Sequence, residues 1–87
     1  MDNATLLQEL EGIAGQLAVE IRFEDLEESR SGLCWVGGDA YILVDRNLTL
    51  AERIKLMVRS VSRLPLESIF IRPDLRQLLE EGLVPSR

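Results

Sequence analysis

Apolar residues return at Leu6, Leu10, Ile13 and Leu17, widened by Leu7 and Ala14, while Gln8, Glu9 and Glu11 fall on the opposite side. That spacing predicts an amphipathic helix over about residues 4–17, capped by Asn3 or Asp2. Gly12 and Gly15 interrupt it, each costing roughly 1 kcal/mol against alanine unless they admit close packing on a sheet. The period then shortens to that of a strand. Val19, Ile21 and Phe23 alternate with Glu20, Arg22 and Glu24, which is the pattern of a strand with one wet face.

Residues 24–32 are charged and poor in apolar groups apart from Leu26, and they predict a solvated loop. Leu33-Cys34-Trp35-Val36 and Ala40-Tyr41-Ile42-Leu43-Val44 then flank Gly37-Gly38-Asp39, where glycines supply the positive φ of a tight turn. The prediction is a β-hairpin whose second arm, apolar on both faces, is covered on each side or lies at a subunit contact. Thr49 followed by Glu52 is the capping-box spacing and opens a helix to about Leu64, stopped at Pro65. Its apolar stripe runs through Leu50, Ala51, Ile54, Met57, Val58, Val61 and Leu64, and Leu56 lies off it as a candidate contact with another molecule. Ser68 to Ile71 reads as a short strand or a buried connector, and Pro73 opens a last helix that Gly82 ends.

The order is therefore α-β-β-β-α-(β)-α. It implies an α+β fold in a single domain, residues 1–87, with a small three-stranded, mainly antiparallel sheet packed against two or three helices. A chain of 87 residues buries a smaller share of its surface than a large domain does and needs an efficient core. Apolar residues supply 46% of the sequence, which is ample. A single cysteine forms no internal disulfide, so packing or self-association must supply the stability, and a homodimer is the default expectation.

Charge narrows the partners. The net charge of −5 opposes a phosphate-binding footprint, so neither nucleic acid nor a membrane surface is expected as a partner. The balance is uneven along the chain. Eight acids within residues 1–30 face Arg22 and Arg30, whereas residues 31–76 set Arg46, Arg53, Lys55, Arg59, Arg63, Arg72 and Arg76 against five acids. Halves of opposite sign serve folding or pairing between chains. No apolar run approaches the roughly 20 residues that span a bilayer, and the N-terminal segment is acidic where a signal peptide is basic. The expected location is cytoplasmic. Asn3-Ala4-Thr5 and Asn47-Leu48-Thr49 are then turn and cap chemistry, not glycosylation acceptors.

The chain has no histidine, one cysteine and one lysine, which removes most catalytic constellations. A Ser-His-Asp triad lacks its base. A Ser-Lys dyad would want serine three or four residues from Lys55, where Val58 and Arg59 stand. Cys34, between Leu33 and Trp35, reads as a buried or interfacial thiol. Glu24, Asp25, Glu27 and Glu28 lack the spacing and glycine of a calcium loop. No catalytic residue, cofactor or metal is expected. Lys55, Arg59 and Arg63 recur every four residues and line one face of the second helix, either as solvated surface or as a strip for an acidic partner. Of the aromatics, Phe23 and Phe70 are assigned to the core. Trp35 and Tyr41 share parity on the two hairpin arms and are candidate cross-strand neighbours at an edge where a second chain can pair.

The strand Ile42-Leu43-Val44-Asp45-Arg46-Asn47-Leu48 followed by the capped helix from Thr49 to Leu64 resembles the centre of IrrE-type zinc metallopeptidases over residues 32–64. In that family the helix carries HExxH, two histidines one turn apart on the zinc and a glutamate that activates water. Val58 and Ser62 fall at the histidine positions and Arg59 at the glutamate, so this chain departs from the pattern at all three. Valine offers no ligand atom, and a guanidinium repels a metal ion. The sequence also resembles small bacterial proteins with a Gly-Leu-Cys strand, a strand ending in Val-Asp-Arg and a helix starting at Leu-Thr-Leu-Ala-Glu-Arg, a likeness that carries no function. The expected function is a non-catalytic intracellular protein-interaction domain that associates with itself. The resemblance implies an alternative, a metallopeptidase-like domain that holds a peptide or protein without cleaving it.

Overall fold

The computed structural model describes residues 2–25 and 31–81. Helix α1 spans Asn3–Gln16, β1 Glu20–Glu24, β2 Gly32–Val36, β3 Asp39–Asp45, α2 Leu50–Val61 and α3 Pro73–Glu81, with a 3-10 turn at Leu66–Ser68. The α+β class and the three-stranded sheet are as the periodicities predict. The loop expected at 24–32 falls largely on residues 26–30, outside the described residues, as does Gly82.

Each helix start follows from its local chemistry. Asp2 caps α1, its carboxylate accepting from the Thr5 backbone N–H at 2.8 Å. Thr49 accepts from the Glu52 N–H at 3.2 Å while Glu52 accepts from the Thr49 N–H at 2.9 Å, which completes the capping box of α2. That helix ends at Val61, one turn short of the predicted Leu64.

β3 takes the centre of the sheet, in the order β1-β3-β2. The hairpin pairs β2 with β3 antiparallel, and β1 lies parallel along the other side of β3, so the sheet is mixed instead of mainly antiparallel. The cause is the length of β3 and the apolar character of both its faces, which favour the interior position and leave the shorter β1 and β2 at the margins. β1 and β2 then run in opposite directions, so the chain leaves one and enters the other at the same end of the sheet. Ser31 marks that end, its hydroxyl accepting from the Asp45 N–H at 3.1 Å. Arg46 ties β1 there as well, donating its backbone N–H to the Glu24 carbonyl at 3.0 Å and its guanidinium to the Phe23 carbonyl at 2.8 Å.

The helices cover one face. Ala40, Ile42 and Val44 of β3 are buried against Leu10, Ile13, Ile54, Met57, Val58 and Val61, while Tyr41, Leu43 and Asp45 point to the other face and are half-buried. The thinnest dimension is 18 Å, the thickness of one sheet with one helix layer upon it. Among the described residues the second sheet face carries no helix.

Several expectations are corrected. Gly12 and Gly15 do not admit close packing: a Cβ built at either meets nothing within 4 Å, so both face solvent. Phe23 is 42% exposed and Phe70 is 80% exposed, so neither is core. Phe23 lies on a marginal strand, where the Arg53 guanidinium roofs its ring at 5.4 Å. Ser68 to Ile71 forms no strand. It is a connector of which Ile71 alone is buried; Ile69 is half-buried, and Ser68 and Phe70 face solvent.

Candidate functional site

The hairpin decides which predicted contact residues can meet. Its turn holds only Gly37 and Gly38, at φ of 59° and 89°, so Val36 pairs with Asp39, Trp35 with Ala40 and Cys34 with Tyr41. Partners across a two-residue turn have opposite parity. Trp35 and Tyr41 therefore face opposite sides of the sheet and are not cross-strand neighbours, contrary to expectation. Trp35 projects on the helix side at the margin, 60% exposed, and Tyr41 lies on the open face beside Cys34.

On that open face Arg22 stacks on the Tyr41 ring at 4.8 Å and donates to Glu20 at 3.0 Å. The bond to Glu20 and the charge of that carboxylate raise the Arg22 pKa above its ordinary value. Arg22, Glu24, Cys34, Val36, Tyr41 and Leu43 outline a shallow depression of about 280 Å³. Cys34 is free and half-buried there.

Lys55 and Arg59 are exposed on α2, but Arg63, also exposed, lies past the helix end at Val61, so α2 carries two of the three expected cations. None of the three makes an ion pair among the described residues. Leu56 is not a free contact residue. It is half-buried and reaches over β2, with its Cδ1 at 3.9 Å from a Cβ built on Gly32. The positions matched to the zinc motif diverge: Val58 is wholly in the core, Arg59 is exposed, and the Ser62 hydroxyl donates to the Arg59 carbonyl at 2.9 Å. Ser60 is buried while Lys55 is exposed, so no Ser-Lys pair forms on α2.

The features that set the two sheet margins apart are more telling than any cavity. β1 reads Glu-Ile-Arg-Phe-Glu and carries a charge at every second position. β2 reads Gly-Leu-Cys-Trp-Val, carries none, and leaves Trp35 and Val36 exposed at 60% and 62%. Val36 was not among the predicted contacts. Its signal was its place beside the glycine turn, two residues on from Cys34, which puts it on the open face where no helix lies among the described residues. Two further clefts are present, one of about 290 Å³ between α1 and the segment from Phe70 to Leu75, and one of about 190 Å³ at the turn end of the hairpin, walled by Trp35, Val19 and Leu64.

Comparison with protein-family models, with curated proteins and with solved structures gives no match. No helix among the described residues is long and apolar enough to cross a membrane.

Proposed function

We propose that this chain is a non-catalytic protein-interaction domain that associates with itself. The observation that supports the reading is the β2 margin, an uncharged edge strand with two large apolar side chains in solvent. Soluble proteins guard such edges with charge, proline or a covering segment, because unpaired backbone groups template the addition of another strand. An unguarded edge is a site of strand addition. The residue inventory agrees: with no histidine, the chain lacks the side chain that most often moves protons near neutrality.

Light scattering over a concentration series tests this. The expected result is a reversible dimer that Trp35→Lys dissociates; a wild-type chain that stays monomeric up to millimolar concentration would refute self-association. The same edge supports a second reading, in which it accepts an extended peptide as a metallopeptidase-like domain would, without cleaving it. That reading requires the wild-type chain to be a monomer that binds peptide along β2.

A further inference from the structure

We propose that two copies of this chain join β2 to β2 in antiparallel, extending the sheet across a two-fold axis that passes beside Cys34. The inference rests on the self-association proposed above and specifies its partner, direction and register.

Charge selects the edge. Each copy carries −5, so two copies repel and meet at least cost where no charge is interposed. The β1 margin presents Glu20, Arg22 and Glu24, and β2 presents no ionisable group except the Cys34 thiol.

The hairpin then fixes which backbone groups are free. A two-residue turn closes on a hydrogen-bonded pair, here Val36 with Asp39, and antiparallel pairs alternate between bonded and non-bonded. Gly32, Cys34 and Val36 therefore turn their N–H and C=O toward β3, while Leu33 and Trp35 turn theirs outward to the free edge. A two-fold axis requires each contact to be matched by its mirror, so residue numbers across the new pair sum to a constant. The sum that overlaps the whole five-residue strand is centred on Cys34. It places Trp35 opposite the partner's Leu33 as a hydrogen-bonded pair, and Leu33 opposite the partner's Trp35 likewise.

Side-chain shape agrees with that register. Exposed Trp35 lies across half-buried Leu33 of the partner subunit on the helix side. Exposed Val36 lies beside Gly32 of the partner subunit, which has no side chain to obstruct it. The two Cys34 residues form a non-bonded pair at the axis, with Cα atoms about 4.5 Å apart, inside the span of about 4.4–6.8 Å that a disulfide bridges. Both thiols lie on the open face, clear of the helices.

Cys34 thus reports the register. The full chain is treated with diamide, which is reduced to its hydrazine as the two thiols lose their hydrogens and join, and mass is measured with and without reductant. The expected result is a dimer that cross-links through Cys34, a cross-link absent from Cys34→Ser, and a dissociation constant raised about tenfold or more by Trp35→Pro. Proline at that position removes only an outward N–H, so the monomer keeps its fold, which amide exchange of β3 verifies. Trp35→Lys is the second variant and loses the dimer in the same way. A dimer that resists oxidation at Cys34 and survives both substitutions overturns the register and leaves self-association standing. A dimer broken by Arg59→Glu with Arg63→Glu, but not by Trp35→Pro, moves the interface to α2 and overturns it as well. A strictly monomeric wild-type chain removes both proposals.

Discussion

Val19 donates its backbone N–H to the Ala14 carbonyl at 2.9 Å, and Ala18 between them donates to Gly15 at 3.1 Å. This reciprocal pair of bonds is the Schellman end of α1, and it forces Ala18 into the left-handed region at φ 60°. A non-glycine residue bears a steric cost there of roughly 1 kcal/mol because its Cβ approaches the following carbonyl. Ala18→Gly is therefore expected to raise stability by about 0.5–1 kcal/mol, an effect that its greater unfolded-state entropy reduces but does not reverse. Urea denaturation of the single variant checks it; a fall in midpoint would show that this cap does not limit the helix.

The opposite exchange applies one turn earlier. Gly12 and Gly15 sit within α1 with open space where a Cβ would be. Alanine there adds helix propensity and restricts the unfolded chain, so Gly12→Ala and Gly15→Ala are each expected to stabilise by about 0.5–1 kcal/mol. Thermal melts of the singles and the double test this, with near-additivity expected at these solvent-facing positions. A loss of stability in either single would mean that the glycine meets a neighbour.

Asp2 makes the cap of α1 pH-sensitive. The Thr5 N–H and hydroxyl, as the principal donors to the Asp2 carboxylate, hold its pKa below the ordinary 3.8. A carboxyl whose folded pKa is depressed contributes stability that is present above the unfolded value and lost as pH falls through the folded one. Acid titration of the unfolding midpoint should show that loss below about pH 4. Asp2→Asn preserves the capping bond without the charge, so its stability near neutrality stays close to wild type while its acid slope flattens. An unchanged slope would remove Asp2 from the acid response.

What the sequence disclosed tracks the range of the interaction. The caps at Asp2 and Thr49, the glycine hairpin and the helical stripes are set by residues within four positions of one another, and their chemistry is readable from order alone. The parallel union of β1 with β3 joins residues about twenty apart, and it depends on β3 claiming the centre of the sheet. Phe23 and Phe70 were misplaced for the same reason. Hydrophobicity says that a side chain prefers burial, but the edge position of β1 and the outward turn beside Ile71 decide whether it is achieved. For the candidate site, Trp35 was legible as an edge aromatic. Its separation from Tyr41 was not legible until the turn was known to hold two residues, since one residue more would reverse the facing of the whole strand.

The position of Val58 also bears on the metallopeptidase resemblance. Val58 has 0% exposure and packs in the core with Ile54, Met57 and Val61, while Arg59 points to solvent. Introducing the zinc pattern with Val58→His, Arg59→Glu and Ser62→His therefore puts an imidazole where no polar partner waits. The expected cost is about 2 kcal/mol or more from polar burial and overpacking, with Val58→His alone carrying most of it. Because the histidine at 58 is directed into the core, the triple variant should also hold no stoichiometric zinc by elemental analysis. If it instead folded with wild-type stability and one zinc per chain, α2 would be shown able to turn that face toward a cleft. The metallopeptidase-like reading of the β2 edge would then displace the self-pairing one.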